Sequence, residues 1–152
     1  MCQRVYVASR HDLPTVSRGA RSPFLEVRRA TQEVSALRFL QGDLPNVYVA
    51  GGHAECGCGF PAETTDGELD PKRLEAADVE SLHALGEWLR PACRNGGTVR
   101  LYLCWAGQEG EPPESVRTVS LSDLQEPGVR LKHGEVLTIG GVVELRRRRT
   151  RR

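Results

Sequence analysis

The sequence predicts an α+β protein, one compact domain with a mixed β-sheet, one long amphipathic helix and one shorter helix. Three observations carry this. Short runs rich in β-branched and aromatic residues recur along the chain, separated by Gly, Pro and Asn. Between two of them lies an apolar stripe with helical spacing: Leu74, Ala77, Leu82, Leu85, Leu89 and Ala92. A chain of 152 residues is also long enough to bury one core without disulfide staples.

Taken in order, Val5-Tyr6-Val7-Ala8 reads as the first strand, closed off by Arg10-His11-Asp12. Pro14, Gly19 and Pro23 make the next stretch a loop, and Phe24-Leu25-Glu26-Val27 is a short strand suited to a sheet edge. Thr31 is placed to cap a short helix through about Leu40, which Leu44-Pro45-Asn46 breaks. Asn46-Val47-Tyr48-Val49-Ala50 is the clearest strand, and it stops at Gly51-Gly52. Asp70-Pro71 then announces the long helix, with Asp as N-cap and Pro at the first helical position. Trp88 falls on the flank of its stripe, and Asn95-Gly96-Gly97 ends the segment. Thr98 to Trp105 alternates as a half-buried strand should. Val116 to Leu121 and Glu135 to Ile139 complete the set, on either side of Pro127-Gly128.

The span from Val47 to Trp105 has the length of a βαβ crossover. Its two strands are therefore expected to run parallel, bringing the loop after the first and Cys104 to one edge of the sheet. Loops at such an edge are where open α/β sheets hold ligands.

The formal charge of +1 conceals an asymmetry. Six arginines fall in the last seven residues, Arg146 to Arg152, and without them 15 basic residues face 20 acidic ones. The domain is expected over residues 1–145, with 146–152 a disordered arginine-rich tail. Arginine accounts for 19 of the 21 basic residues, so the tail follows a bias of the whole chain. With only eight aromatics and no base-stacking platform, nucleic acid is not the expected partner. No apolar run is long enough to cross a bilayer and the N-terminus has no secretory pattern, so the expected location is the cytoplasm. Five cysteines, Cys2, Cys56, Cys58, Cys93 and Cys104, are an odd number in such a chain and argue against a disulfide framework.

The chemistry concentrates in His53-Ala54-Glu55-Cys56-Gly57-Cys58-Gly59-Phe60, one imidazole and two thiols within six residues. Thiolate and imidazole favour zinc, or copper in its reduced state. Glycines 51, 52, 57 and 59 are expected to allow positive φ, letting the loop fold around a small ion and point amides at sulfur. The expected ligands are His53, Cys56 and Cys58, completed by Cys104 or Cys2. Cys93 reads as packing, His83 as solvated, and His11 and His133 lie in turn-like segments. The alternative from another class is a thiol-dependent redox protein or Cys-nucleophile enzyme using Cys56, Cys58 or Cys2. Freed by removal of Met1, Cys2 could use its own amine as base. A Cys56–Cys58 disulfide would be strained by its one-residue loop.

Two further readings, a zinc deaminase and a phosphate-binding loop, are weaker. His53-Ala54-Glu55 matches the ligand and proton-shuttle triplet of zinc deaminases, but the later Pro-Cys-x-x-Cys is missing. Gly57-x-Gly59 follows a strand, yet no third glycine or Lys-Ser/Thr follows to make a phosphate loop.

Met1-Cys2, the strand Val5-Tyr6-Val7-Ala8, Asn46-Val47-Tyr48 leading into Gly51 to Phe60, and Tyr102-Leu103-Cys104-Trp105 together resemble a family of small bacterial proteins with no established activity. The resemblance runs to about Val142, and the loop is its specific part. It implies that Cys2, His53, Cys56, Cys58 and Cys104 belong to one group, that Cys93 does not, and that Glu55 is not a shared feature. The expectation is a small metal-binding module, zinc or Cu(I), with a structural, sensory or interaction role.

Overall fold

The computed structural model describes residues 2–54, 56–61, 76–125 and 130–140. Glu55, the Asp70-Pro71 helix start with Leu74, the Pro127-Gly128 break and the 146–152 tail lie outside the described residues.

Period-2 alternation in the strands sends successive side chains to two faces, and here both faces are covered. Six strands form the sheet: β1 (Gln3–Ser9), β2 (Glu26–Arg29), β3 (Asn46–Gly51), β4 (Thr98–Trp105), β5 (Ser115–Ser120) and β6 (Glu135–Gly140), in the order β2-β3-β1-β4-β6-β5. Pairing is antiparallel except for β5 with β6, so the sheet is mixed. Among the described residues three short or medium α-helices accompany it: α1 (Arg38–Gln41), α2 (Ala76–Leu89) and α3 (Leu121–Gln125). Val5, Val7, Val99, Leu101 and Ile139 share one buried cluster with Leu82, Leu85 and Leu89 of α2. Tyr6, Ala8, Tyr102, Cys104 and Val136 share the other with Leu37 and Leu40. No helix among the described residues is long and apolar enough to cross a membrane.

β3 and β4 are both antiparallel to β1, which lies between them, so they run parallel to each other and end at the same edge. That is the crossover expected from the sequence, with one strand inserted. The second strand lies at the sheet edge as expected, two residues later in the chain.

Other boundaries differ for identifiable reasons. Thr31 caps nothing: its amide donates to the Glu33 carboxylate, and the helical segment begins as a 3-10 turn at Val34–Leu37 before α1. Pro91 lacks an amide hydrogen, so α2 stops at Leu89 and the chain continues as a 3-10 helix over Arg90–Gly96. Trp88 belongs to the core rather than the flank; its Nε1 donates to the Pro14 carbonyl at 2.8 Å and its ring meets Tyr48 edge-on at 5.2 Å. The fifth strand ends at Ser120, where α3 begins with Ser120 and Asp123 exchanging side-chain to amide hydrogen bonds.

Candidate functional site

The cysteine loop leaves β3 at Gly51 and turns back on itself. The Gly52 amide donates to the Cys56 carbonyl at 3.0 Å, the Gly59 amide to the same oxygen at 3.1 Å, and a 3-10 turn spans Gly57–Gly59. None of glycines 51, 52, 57 and 59 adopts positive φ, and 52, 57 and 59 instead serve close approach. A Cβ on Gly59 would stand 2.6 Å from the His53 nitrogen, and one on Gly57 would stand 3.0 Å from the Gln3 carbonyl carbon. The loop thus lies flat against itself and against the start of β1.

This contact with β1 brings two segments of sequence together at sulfur. The Cys58 amide donates to Cys56 Sγ at 3.3 Å, and the Gln3 amide donates to Cys58 Sγ at 3.3 Å. Cys2, next to Gln3, shares with Cys56 a cavity of about 240 Å³. The cavity is edged by Arg4, Glu26 and Arg28, and Glu33 accepts from both Arg4 (3.1 Å) and Arg28 (3.0 Å). Burial pushes the Cys56 thiol up to about 11, and the neighbouring Cys58 and Cys2 thiols push it the same way against the Cys58 amide. Negative charge on any one of these sulfurs opposes charge on the others, and a bound cation would relieve that opposition.

His53 faces elsewhere. Its Nε2 lies 2.6 Å from Asp78 Oδ1, and its amide donates to Ser81 Oγ at 2.9 Å, so α2 holds both ring and backbone. Arg18 donates to the carbonyls of Gly52 and His53, the latter at 2.9 Å, and clamps the loop from its other side. Cys104 reaches the expected sheet edge but is buried. Opposite Arg4 in the β1–β4 register, it sits in the cluster with Tyr6 and Tyr102, and burial pushes its thiol up to about 12. Cys93 is likewise buried, its thiol pushed up to about 11 by burial.

Of the five residues grouped from the sequence, the fold brings Cys2, Cys56 and Cys58 together and leaves His53 and Cys104 apart from them. Among the described residues no three His, Cys, Asp or Glu side chains stand close enough, as they are, to hold a metal ion. Cys2 and Cys58 are exposed and Cys56 is half-buried, so two of the three sulfurs have room to turn. The donor set fits a thiophilic ion: three sulfurs, two of them already accepting backbone amides, with cavity access from solvent.

Sequence reasoning missed Gln3, Arg18, Asp78 and Ser81, which position the loop. Asp78 and Ser81, three apart on α2, are the one pairing a helix-face reading could have found. His133, read as a turn residue, stacks on Trp105 at 4.3 Å between ring centroids. Comparison with protein-family models, with curated proteins and with solved structures finds no match to this chain.

Proposed function

We propose that this protein is a metal-binding module that takes a thiophilic ion, zinc or Cu(I), through Cys56, Cys58 and Cys2. The observation that carries the reading is the pair of backbone amides aimed at sulfur, Cys58 onto Cys56 and Gln3 onto Cys58. Amides so placed stabilise thiolates and orient them, the task of outer-shell groups around a metal. Cys2 joins the other two by turning its exposed side chain into the shared cavity. Three thiolates suit a trigonal Cu(I) site, or zinc with a fourth ligand from outside the set. The role is then sensory or an interaction, in a reducing compartment such as the cytoplasm where thiols persist. His53, held by Asp78, and Cys104, within the core, support the loop and the sheet rather than the ion.

Cys56 is not placed as a nucleophile: that role needs a depressed thiol pKa, and burial pushes Cys56 the opposite way.

Cobalt(II) tests the coordination. Added to reduced protein, it is expected to give thiolate-to-metal charge-transfer absorption in the near ultraviolet. Cys56→Ser and Cys58→Ser should each weaken that band, and Cys93→Ser should leave it unchanged. A band absent from the unmodified protein, or indifferent to Cys56 and Cys58, contradicts the assignment.

A further inference from the structure

We propose a second site at the opposite end of the sheet, a basic cleft that binds a phosphorylated small molecule through its phosphate oxygens. It lies where β1 ends and where β3 and β4 begin, so the sheet separates it from the cysteine loop. The cleft encloses about 730 Å³ and is lined by Arg10, His11, Arg94 and Arg100, with Thr98 at its edge and Asp43 the one carboxylate in the lining among the described residues. Three guanidinium groups thus meet one acid in a concave space.

Two of the guanidiniums already converge. Arg10 Nη2 lies 2.6 Å from Asp43 Oδ2, and Arg100 Nη2 lies 3.6 Å from Asp43 Oδ1. Arg100 Nη1 also donates weakly, at 3.4 Å, to the carbonyls of Leu40 and Gln41 at the end of α1. This fixes the half-buried Arg100 head at the cleft wall. Arg94 and His11 make no side-chain hydrogen bond or ion pair among the described residues, and both are exposed to the cleft. Arginine's planar fork matches phosphate oxygens two at a time.

The surrounding charge makes this local. Outside the last seven residues the chain carries more acid than base, 20 against 15, so the cleft is not a sample of a uniformly positive surface. Its enclosed volume falls within the range of small-molecule sites. Among the described residues no Phe, Tyr or Trp lines it, and His11 is its one ring, so it offers no run of stacking platforms for successive bases of a nucleic acid strand.

The test is calorimetric titration of the full chain with inorganic tripolyphosphate at low salt. The six arginines among the last seven residues of the sequence are a competing anion binder that the variants must separate from the cleft. One equivalent is expected to bind, and Arg10→Gln/Arg94→Gln to weaken it by about tenfold or more, the scale of two lost charge-assisted hydrogen bonds. Both side chains are exposed, so folding should survive, and an unchanged circular dichroism spectrum would verify it. Arg21→Gln, which removes an exposed charge outside the cleft, should change affinity by less than about twofold. Several outcomes overturn the proposal: no saturable binding, equal loss in Arg21→Gln, or undiminished binding in the double variant, which would assign the anion to the terminal arginines. So would a short single-stranded oligonucleotide that binds the same residues more tightly than tripolyphosphate, since the occupant would then be nucleic acid.

Discussion

A Gly59→Ala variant is expected to lose most of its metal affinity although every cysteine remains. An added Cβ would stand 2.6 Å from the His53 nitrogen, 2.7 Å from the Gly52 carbonyl carbon and 2.8 Å from the Ala54 nitrogen. All three are backbone atoms, so no side chain can yield and the loop itself must spread. The Gly59 amide bond to the Cys56 carbonyl lies on the moving segment, and so does the turn that aims the Cys58 amide at Cys56. Disturbing groups that orient a ligand costs about 10–100-fold in metal affinity, and the overpacking costs about 1–3 kcal/mol of stability. Zinc affinity by competition with a chromophoric chelator measures the first and thermal unfolding the second. Gly19→Ala is the control, because a Cβ there meets nothing within 4 Å. An unchanged zinc affinity in Gly59→Ala would mean that the loop's close packing does not position the sulfurs.

Leu101→Ala should do the reverse. Leu101 is 1% exposed in the middle of β4, paired with Val7 and Leu137 and packed in the cluster that α2 covers. Removing its side chain leaves a cavity among strands that are hydrogen-bonded on both sides and can close on it only in part. The expected loss is about 2–5 kcal/mol, which for a chain of this length lowers the melting temperature by roughly 10 °C. Metal stoichiometry should be unchanged, since the residue lies away from the loop. A fall of less than a degree or two would mean that the centre of the sheet is far more compliant than a packed core allows.

These two sites mark what was legible in the sequence. The strands were, because runs such as Val5-Tyr6-Val7 and Val47-Tyr48-Val49 have side chains that fit only a pleated, buried surface. The parallel relation of β3 and β4 was legible from the length of their connection. The insertion of β1 between them was not, because strand order depends on long-range pairing that no local pattern records. The Ser120-x-x-Asp123 capping pattern of α3 stood in the sequence, but the apolar run before it led the strand reading one residue too far.

The site divides in the same way. His53, Cys56 and Cys58 were conspicuous by residue type and spacing, and glycine enrichment marked a tight loop. The physical use of those glycines was different: Gly52 and Gly59 let two backbone segments touch, which depends on the closed loop rather than on any residue's own φ. The hold of Asp78 and Ser81 on His53 spans 25 and 28 residues. The reach of the Gln3 amide to Cys58 spans 55, so neither could be read locally. Cys104 was placed correctly at a sheet edge, yet period-2 alternation with Tyr102 turns it into the second core.

Metal content per chain, measured by elemental analysis on protein purified without chelators or a histidine tag, tests the central claim most directly when paired with a native thiol titration. Cys93 and Cys104 are buried, so the titration reports on Cys2, Cys56 and Cys58. The expected result is about one equivalent of zinc or copper, with these three thiols unreactive until a chelator removes the ion. No metal, with all three reacting at once in untreated protein, would contradict a metal-binding role and leave the loop as a packed turn carrying free thiols.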